Sequence, residues 1–81
     1  MIRLVRREVD KNIARFYLMQ IVPGLFGNFG LMREWGRIGK SGTSRTDWFN
    51  NKSSARKASE ELLESKLQRG YCYAKGSSDR A

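Results

Sequence analysis

The sequence predicts an α+β fold: a four-stranded antiparallel β-sheet in meander order with one α-helix packed on one face. Three observations predict it. Residues 2–49 fall into four stretches with strand-type alternation, the connections between them are too short for crossovers, and after Asn51 the apolar spacing changes to that of a helix. The chain has 81 residues, 40% of them hydrophobic, which is room for a single core, because a chain this short buries only about 60–65% of its unfolded surface. Residues 1–74 are read as one domain. The polar, small residues 75–81 are read as a disordered tail.

The first strand runs from Ile2 to Val9, where Ile2 and Leu4 fall on one side and Val5 and Val9 on the other, with basic residues interleaved as at a sheet edge. Asp10-Lys11-Asn12 forms the following turn. Ile13 to Val22 is dense in β-branched and aromatic residues and reads as a central strand, with Arg15, Tyr17, Met19 and Ile21 on one face and Ala14, Phe16, Leu18, Gln20 and Val22 on the other. Pro23-Gly24 ends it. In the hairpin loop that follows, Leu25 and Phe26 are expected to fold back onto the sheet rim, unless a partner takes them.

Phe29 to Trp35 forms the third strand, with Phe29, Leu31, Arg33 and Trp35 in phase, and continuation through Gly36 brings Arg37 to the same side. One face then presents an indole flanked by two guanidinium groups. Gly36, Gly39 and Gly42 recur at every third residue, where glycine permits positive φ and close approach of backbone to a ligand. Thr43 to Phe49 is the fourth strand. Ala55, Ala58, Leu62 and Leu63, extending to Leu67, make a helical stripe between Asn51 and Arg69, with Asn51 or Ser53 as N-cap and Gly70 as the stop. Tyr71-Cys72-Tyr73 can add a short extended segment.

Sixteen Lys and Arg against eight Asp and Glu give a formal charge of +8 and a pI near 10.3, enough for long-range attraction to a polyanion. The alternative is a merely solubilising surface, although such surfaces mix signs more evenly. No apolar run is long enough to span a membrane, and Met1-Ile2-Arg3-Leu4 opens no cleavable signal pattern. One cysteine, Cys72, excludes an internal disulfide and is read as a structural thiol in a reducing, cytoplasmic setting. The absence of histidine removes the commonest general base and the usual transition-metal ligands. Neither an enzyme nor a bound metal or cofactor is expected, and nothing calls for more than a monomer.

The stretch that carries chemistry is Leu31 to Gly42, in which Trp35 and Arg37 flank Gly36 ahead of a glycine-punctuated basic turn. A planar stacking surface and a fixed cationic fork beside exposed N–H groups suit a phosphate-bearing ligand. The alternative is a core tryptophan at a strand end and a solvated turn cation. Gly39-Lys40-Ser41 has the look of the end of a P-loop, but the first glycine would fall at Glu34 and no crossover helix begins there. Gly39-Lys40-Ser41-Gly42 matches the clamp loop of KH domains in spacing but lies between strands, not between helices.

These residues, taken together, resemble the WGR domain family, whose Trp-Gly-Arg triplet corresponds to Trp35-Gly36-Arg37. Arg15-Phe16-Tyr17-Leu18-Met19-Gln20 is similar to the family's aromatic strand ending in glutamine. Arg33 to Gly39 with Gly42 is similar to its central signature, and Phe49, Ala55, Lys66 and Gly70-Tyr71 follow in the family's order. The segments 12–17 and 23–27 look most like small stand-alone bacterial members. The resemblance implies the four-stranded sheet with one helix, and it implies nucleic-acid binding near a strand end, as in the DNA-damage-activated poly(ADP-ribose) polymerases. There the Trp stacks on a terminal sugar and the Arg serves phosphate or a neighbouring domain, roles that fall here on Trp35 and Arg37, with Gly36 allowing close approach. Two departures stand out: Ala14 occupies the position before Arg15 where the polymerases have Asn, and the polymerase domains extend beyond the Gly70-Tyr71 position.

The expectation is a non-enzymatic module that binds DNA, or RNA, through Trp35, with Arg15, Arg33, Arg37, Lys40 and Arg45 neutralising phosphates, and a nucleoid-associated location would follow. The alternative is a protein-interaction domain using the Trp35-Gly36-Arg37 surface and the Leu25-Phe26 loop.

Overall fold

A computed structural model describes residues 1–75. Of the expected tail, Lys75 sits in a turn and residues 76–81 lie outside the described residues. The strands are β1 (Ile2–Glu8), β2 (Ile13–Pro23), β3 (Phe29–Arg37), β4 (Thr43–Phe49) and β5 (Cys72–Tyr73), with helix α1 (Lys52–Gln68) between β4 and β5. They form one antiparallel sheet in the order β4-β3-β2-β1-β5.

The sheet therefore has five strands where four were expected. The fifth arises at the helix stop. Gly70 takes φ +97°, in the left-handed region that favours glycine, and the chain turns back so that Tyr71 meets Tyr17 edge to face at 6.4 Å. Cys72 and Tyr73 then reach the open edge of β1, pairing with Val5 and Leu4, and the Ala74 N–H donates to the Arg3 carbonyl at 2.8 Å. The Cys72 thiol, exposed, donates to the Val5 carbonyl at 3.6 Å.

Val9, expected to end the first strand, instead starts a single 3-10 turn over Val9–Lys11 and is almost fully exposed. The β1–β2 hairpin closes between Glu8 and Ile13, so four residues must reverse the chain. Asn12 completes the reversal at φ +54°, a conformation asparagine tolerates better than most residues.

The core lies between α1 and the face of β2 that carries Tyr17 and Met19. Leu4, Tyr17, Met19 and Leu31 are buried together, with Ile2, Ile21, Phe49, Ala58, Leu62 and Leu63 packed around them. Alternation puts the registered pairs Leu4↔Tyr17, Ile2↔Met19 and Ile21↔Leu31 on this face. Ala55 and Ser59 are the buried helix residues, and their small side chains let the helix axis approach the sheet. The Asn51 carboxamide oxygen accepts from the Ser54 N–H at 2.8 Å, identifying Asn51 as the N-cap.

Two further expectations are corrected. Leu25 and Phe26 do not fold back: they are 94% and 90% exposed, because the Gly24 N–H to Asn28 carbonyl bond at 2.8 Å and Gly27 at φ +78° close the loop beneath them. In the β3–β4 turn, only Gly39 has positive φ. Gly36 and Gly42 are needed because two backbones meet: a Cβ on Gly36 would lie 3.0 Å from the Gly42 Cα, and one on Gly42 would lie 2.6 Å from the Trp35 carbonyl oxygen.

Candidate nucleic-acid interface

The helix covers only part of its face of the sheet. Past the core, at the last turn of α1, β2 and β3 contribute Arg15, Arg33, Trp35, Gly36 and Arg37, joined by the buried Tyr17, by Arg45 of β4 and by Lys66 and Tyr71. These residues line one open cleft of about 650 Å³. Six of the seven residues expected from the sequence thus come together. Lys40 does not: it is exposed in the β3–β4 turn, its N–H donating to the Arg37 carbonyl at 3.1 Å.

Sheet register explains the clustering. Arg6, Arg15 and Arg37 are consecutive cross-strand partners on β1, β2 and β3, and Arg33 pairs with Arg45 across β3 and β4. Neighbouring strands lie about 4.8 Å apart, and like charges directly opposite one another are destabilising. Two carboxylates relieve part of this. Glu8 pairs with Arg6 at 2.6 Å, while Asp47 accepts from Arg33 at 2.8 Å and from Arg45 at 2.9 Å. Arg15, Arg37 and Lys66 have no carboxylate partner among the described residues. The cleft is left with a net charge of about +4, which an anion would satisfy.

Arg37 is held in place without being neutralised. Its Nη1 donates to the Asn12 carbonyl at 3.2 Å and its Nη2 to Asn12 Oδ1 at 3.1 Å. Two of five donors are used, and the others stay free for a ligand. The left-handed Asn12 turn thus aims this guanidinium, a role for which the sequence offered no signal beyond the turn itself.

Trp35 lies nearly parallel to Tyr17, its cross-strand partner, at 5.8 Å between ring centroids and 14° between planes. The Arg33 guanidinium carbon sits 5.9 Å from the Trp35 ring centroid. The indole is half-buried and braced from one side, so its orientation is set before any ligand arrives. Tyr17, Tyr71 and Lys66 are the site residues that sequence reasoning missed. A signal for Lys66 existed: it stands four residues after Leu62 and three after Leu63, so a cation falls on the apolar stripe.

Lys66 Nζ lies 4.5 Å from the Tyr17 ring centroid and 5.7 Å from that of Tyr71. Burial, then the charges of Arg69 and Arg33, hold its pKa below the usual lysine value of 10.5. The folded state therefore disfavours the charged form. Stability should rise as pH climbs through the lowered value toward 10.5, because the unfolded chain keeps the proton longer. A bound phosphate should reverse the shift, so affinity for an anionic ligand should fall as pH rises across the lowered value. Titration calorimetry in alkaline buffers of different ionisation enthalpy should show proton uptake on binding, and Lys66→Arg should abolish it.

Asp47 gives a second expectation. Asp47→Asn removes the carboxylate shared by Arg33 and Arg45, so nucleic-acid affinity should increase and its salt slope steepen by about one unit. The cost is a partly exposed ion-pair network, about 1 kcal/mol of stability, readable in a denaturant titration.

The fold and cleft define a small basic α+β domain with a cationic, aromatic-lined cleft at one end of its sheet. The chain belongs to the WGR domain family, whose model matches residues 1–78. A protein of Sinorhizobium fredii described as "Uncharacterized protein y4dW" is 41% identical over 66 residues, covering 82% of this chain and 32% of that protein. The chain spans about a third of that relative's length. No solved structure matches. The WGR domain is a nucleic-acid-binding module in poly(ADP-ribose) polymerase-like proteins and is not itself catalytic. Among the described residues there is no group of three or more His, Cys, Asp or Glu that could hold a metal ion, and no helix long and apolar enough to cross a membrane.

Proposed function

We propose that this chain is a non-enzymatic DNA-binding module that prefers strand ends or breaks, acting in the cytoplasm at the nucleoid. The observation that carries the reading is the row of like charges at Arg6-Arg15-Arg37, beside Lys66 and next to the preset Trp35–Tyr17 pair. A cationic row in which only Arg6 has a carboxylate partner suits a phosphate backbone. An indole at its side suits a sugar or base that is no longer covered by a following base pair, as occurs at an end or nick. Among the described residues the cleft lining holds no Asn or Gln to read a base edge, and Arg33 and Arg45 are tied to Asp47, so sequence preference should be weak.

Fluorescence anisotropy tests this with blunt duplex, nicked duplex, closed hairpin, single-stranded DNA and RNA of equal length, at two salt concentrations. Tighter binding to ends or nicks than to the closed hairpin supports the reading. Equal, weak binding to all forms that vanishes at the higher salt would reduce the cleft to generic basicity.

A further inference from the structure

The hairpin tip lies at the opposite end of β2 and β3 from the cleft. Arg15 and Pro23 are eight residues apart on one strand, about 27 Å. From Phe16 to Met32 the chain carries no charge over 17 residues, although 30% of the whole chain is charged. The β2–β3 hairpin is thus polarised into a cationic end and an uncharged, apolar end. At the neutral end Leu25 and Phe26 project almost fully exposed. Beside them, on the helix side, runs an open groove of about 850 Å³ floored by Ile2, Met19, Ile21, Pro23, Phe29 and Leu63. Exposed Lys52, Arg56 and Glu60 border it from α1.

We infer that the chain self-associates through this end, the Leu25-Phe26 tip of one copy seating in the apolar groove of a second copy, and reciprocally. Two features point to a second copy as the occupant. Tip and groove are matched in chemistry and sit side by side on one chain, which is what a two-fold interface requires, each copy giving and receiving the same element. The tip and the apolar floor of the groove carry no charge, and at its border Glu60 offsets one of Lys52 and Arg56, so two molecules of charge +8 can approach here while their more strongly cationic clefts stay far apart. The dimer carries its two clefts at opposite ends, able to hold two strand ends or two points of one strand.

Sedimentation equilibrium from micromolar to millimolar protein tests the inference. The parent should pass from monomer to dimer with concentration. Leu25→Asp/Phe26→Asp should weaken association by about tenfold or more, and because both positions are exposed, its circular dichroism should match the parent. Glu60→Trp, an exposed helix position on the groove, should also weaken association by filling the groove. An equimolar mixture of the two variants should associate more than either alone, since one tip and one open groove remain. The tip variant should bind nucleic acid as tightly per site as the parent, which separates this result from the fate of the cleft. A parent that stays monomeric at millimolar concentration overturns the inference, as does a tip variant that dimerises like the parent or a mixture that recovers nothing. Tip-dependent binding of a monomeric parent to phosphatidylcholine vesicles would overturn it in favour of a bilayer.

Discussion

Trp35→Ala is expected to weaken binding to blunt or nicked DNA by roughly 5- to 150-fold, the equivalent of about 1–3 kcal/mol for one stacked base or sugar, while leaving the salt slope of affinity unchanged. The substitution removes no charge, so counterion release is the same before and after. What it removes is a ring already held parallel to Tyr17 at 5.8 Å, whose ordering cost was met on folding. On a closed hairpin, which offers no exposed terminal face, the same variant should lose little. Trp35→Phe should recover part of the loss at ends, because a smaller ring retains the stacking mode. Trp35 packs against the core, so the variant's unfolding midpoint must be measured beside its affinity. Equal loss on ends and closed hairpins would assign Trp35 a structural role and sink its role in recognising ends.

The strands and the helix were legible because their signals are local and repeated. Alternation over Ile13 to Pro23 and Phe29 to Arg37, and the stripe from Ala55 to Leu63, repeat often enough to place each element within two residues. Tyr71-Cys72-Tyr73 was legible as a short extended segment but not as a fifth strand of the sheet. Two residues have no period, and Tyr73 is extended only because Leu4, far away in the chain, offers an open edge. Val9 misled for a related reason: its β-branched side chain favours a strand, but the hairpin must turn at Glu8 and tertiary closure overrides propensity.

The site was partly legible for the same physical reason. Trp35, Arg33 and Arg37 share a face by period two alone, whereas Arg15 and Arg45 join them only through register. Lys66 and Tyr71 arrive from the helix end, and no strand-based argument could place them over Tyr17. Lys40 is the converse case. Its position in a basic motif suggested a contact, but the turn at Gly39 carries it away from the cleft. The use of Gly36 and Gly42 is steric: they let two backbones approach so closely that a Cβ on Gly36 would lie 3.0 Å from the Gly42 Cα, a purpose that no single-strand reading reveals.

Arg37→Ala combined with Lys66→Ala should flatten the dependence of log affinity on log salt by about two units. Five cations in the cleft, less the carboxylate of Asp47, amount to about four phosphates neutralised. For duplex DNA that gives a slope near −3.6, so the parent should lose roughly 100-fold in affinity between about 50 and 200 mM salt. The double variant should start weaker and lose only about tenfold over the same range. The two residues should differ when changed singly. Arg37→Lys keeps the charge but loses the fork held by Asn12, so it should preserve the slope and lower affinity at every salt concentration. Lys66→Arg should preserve both, because an ammonium resting on Tyr17 and Tyr71 acts as a point charge that a guanidinium can replace by stacking. A double variant with the parent's slope would remove these two cations from the nucleic-acid interface and leave the bound phosphates to Arg15, Arg33 and Arg45.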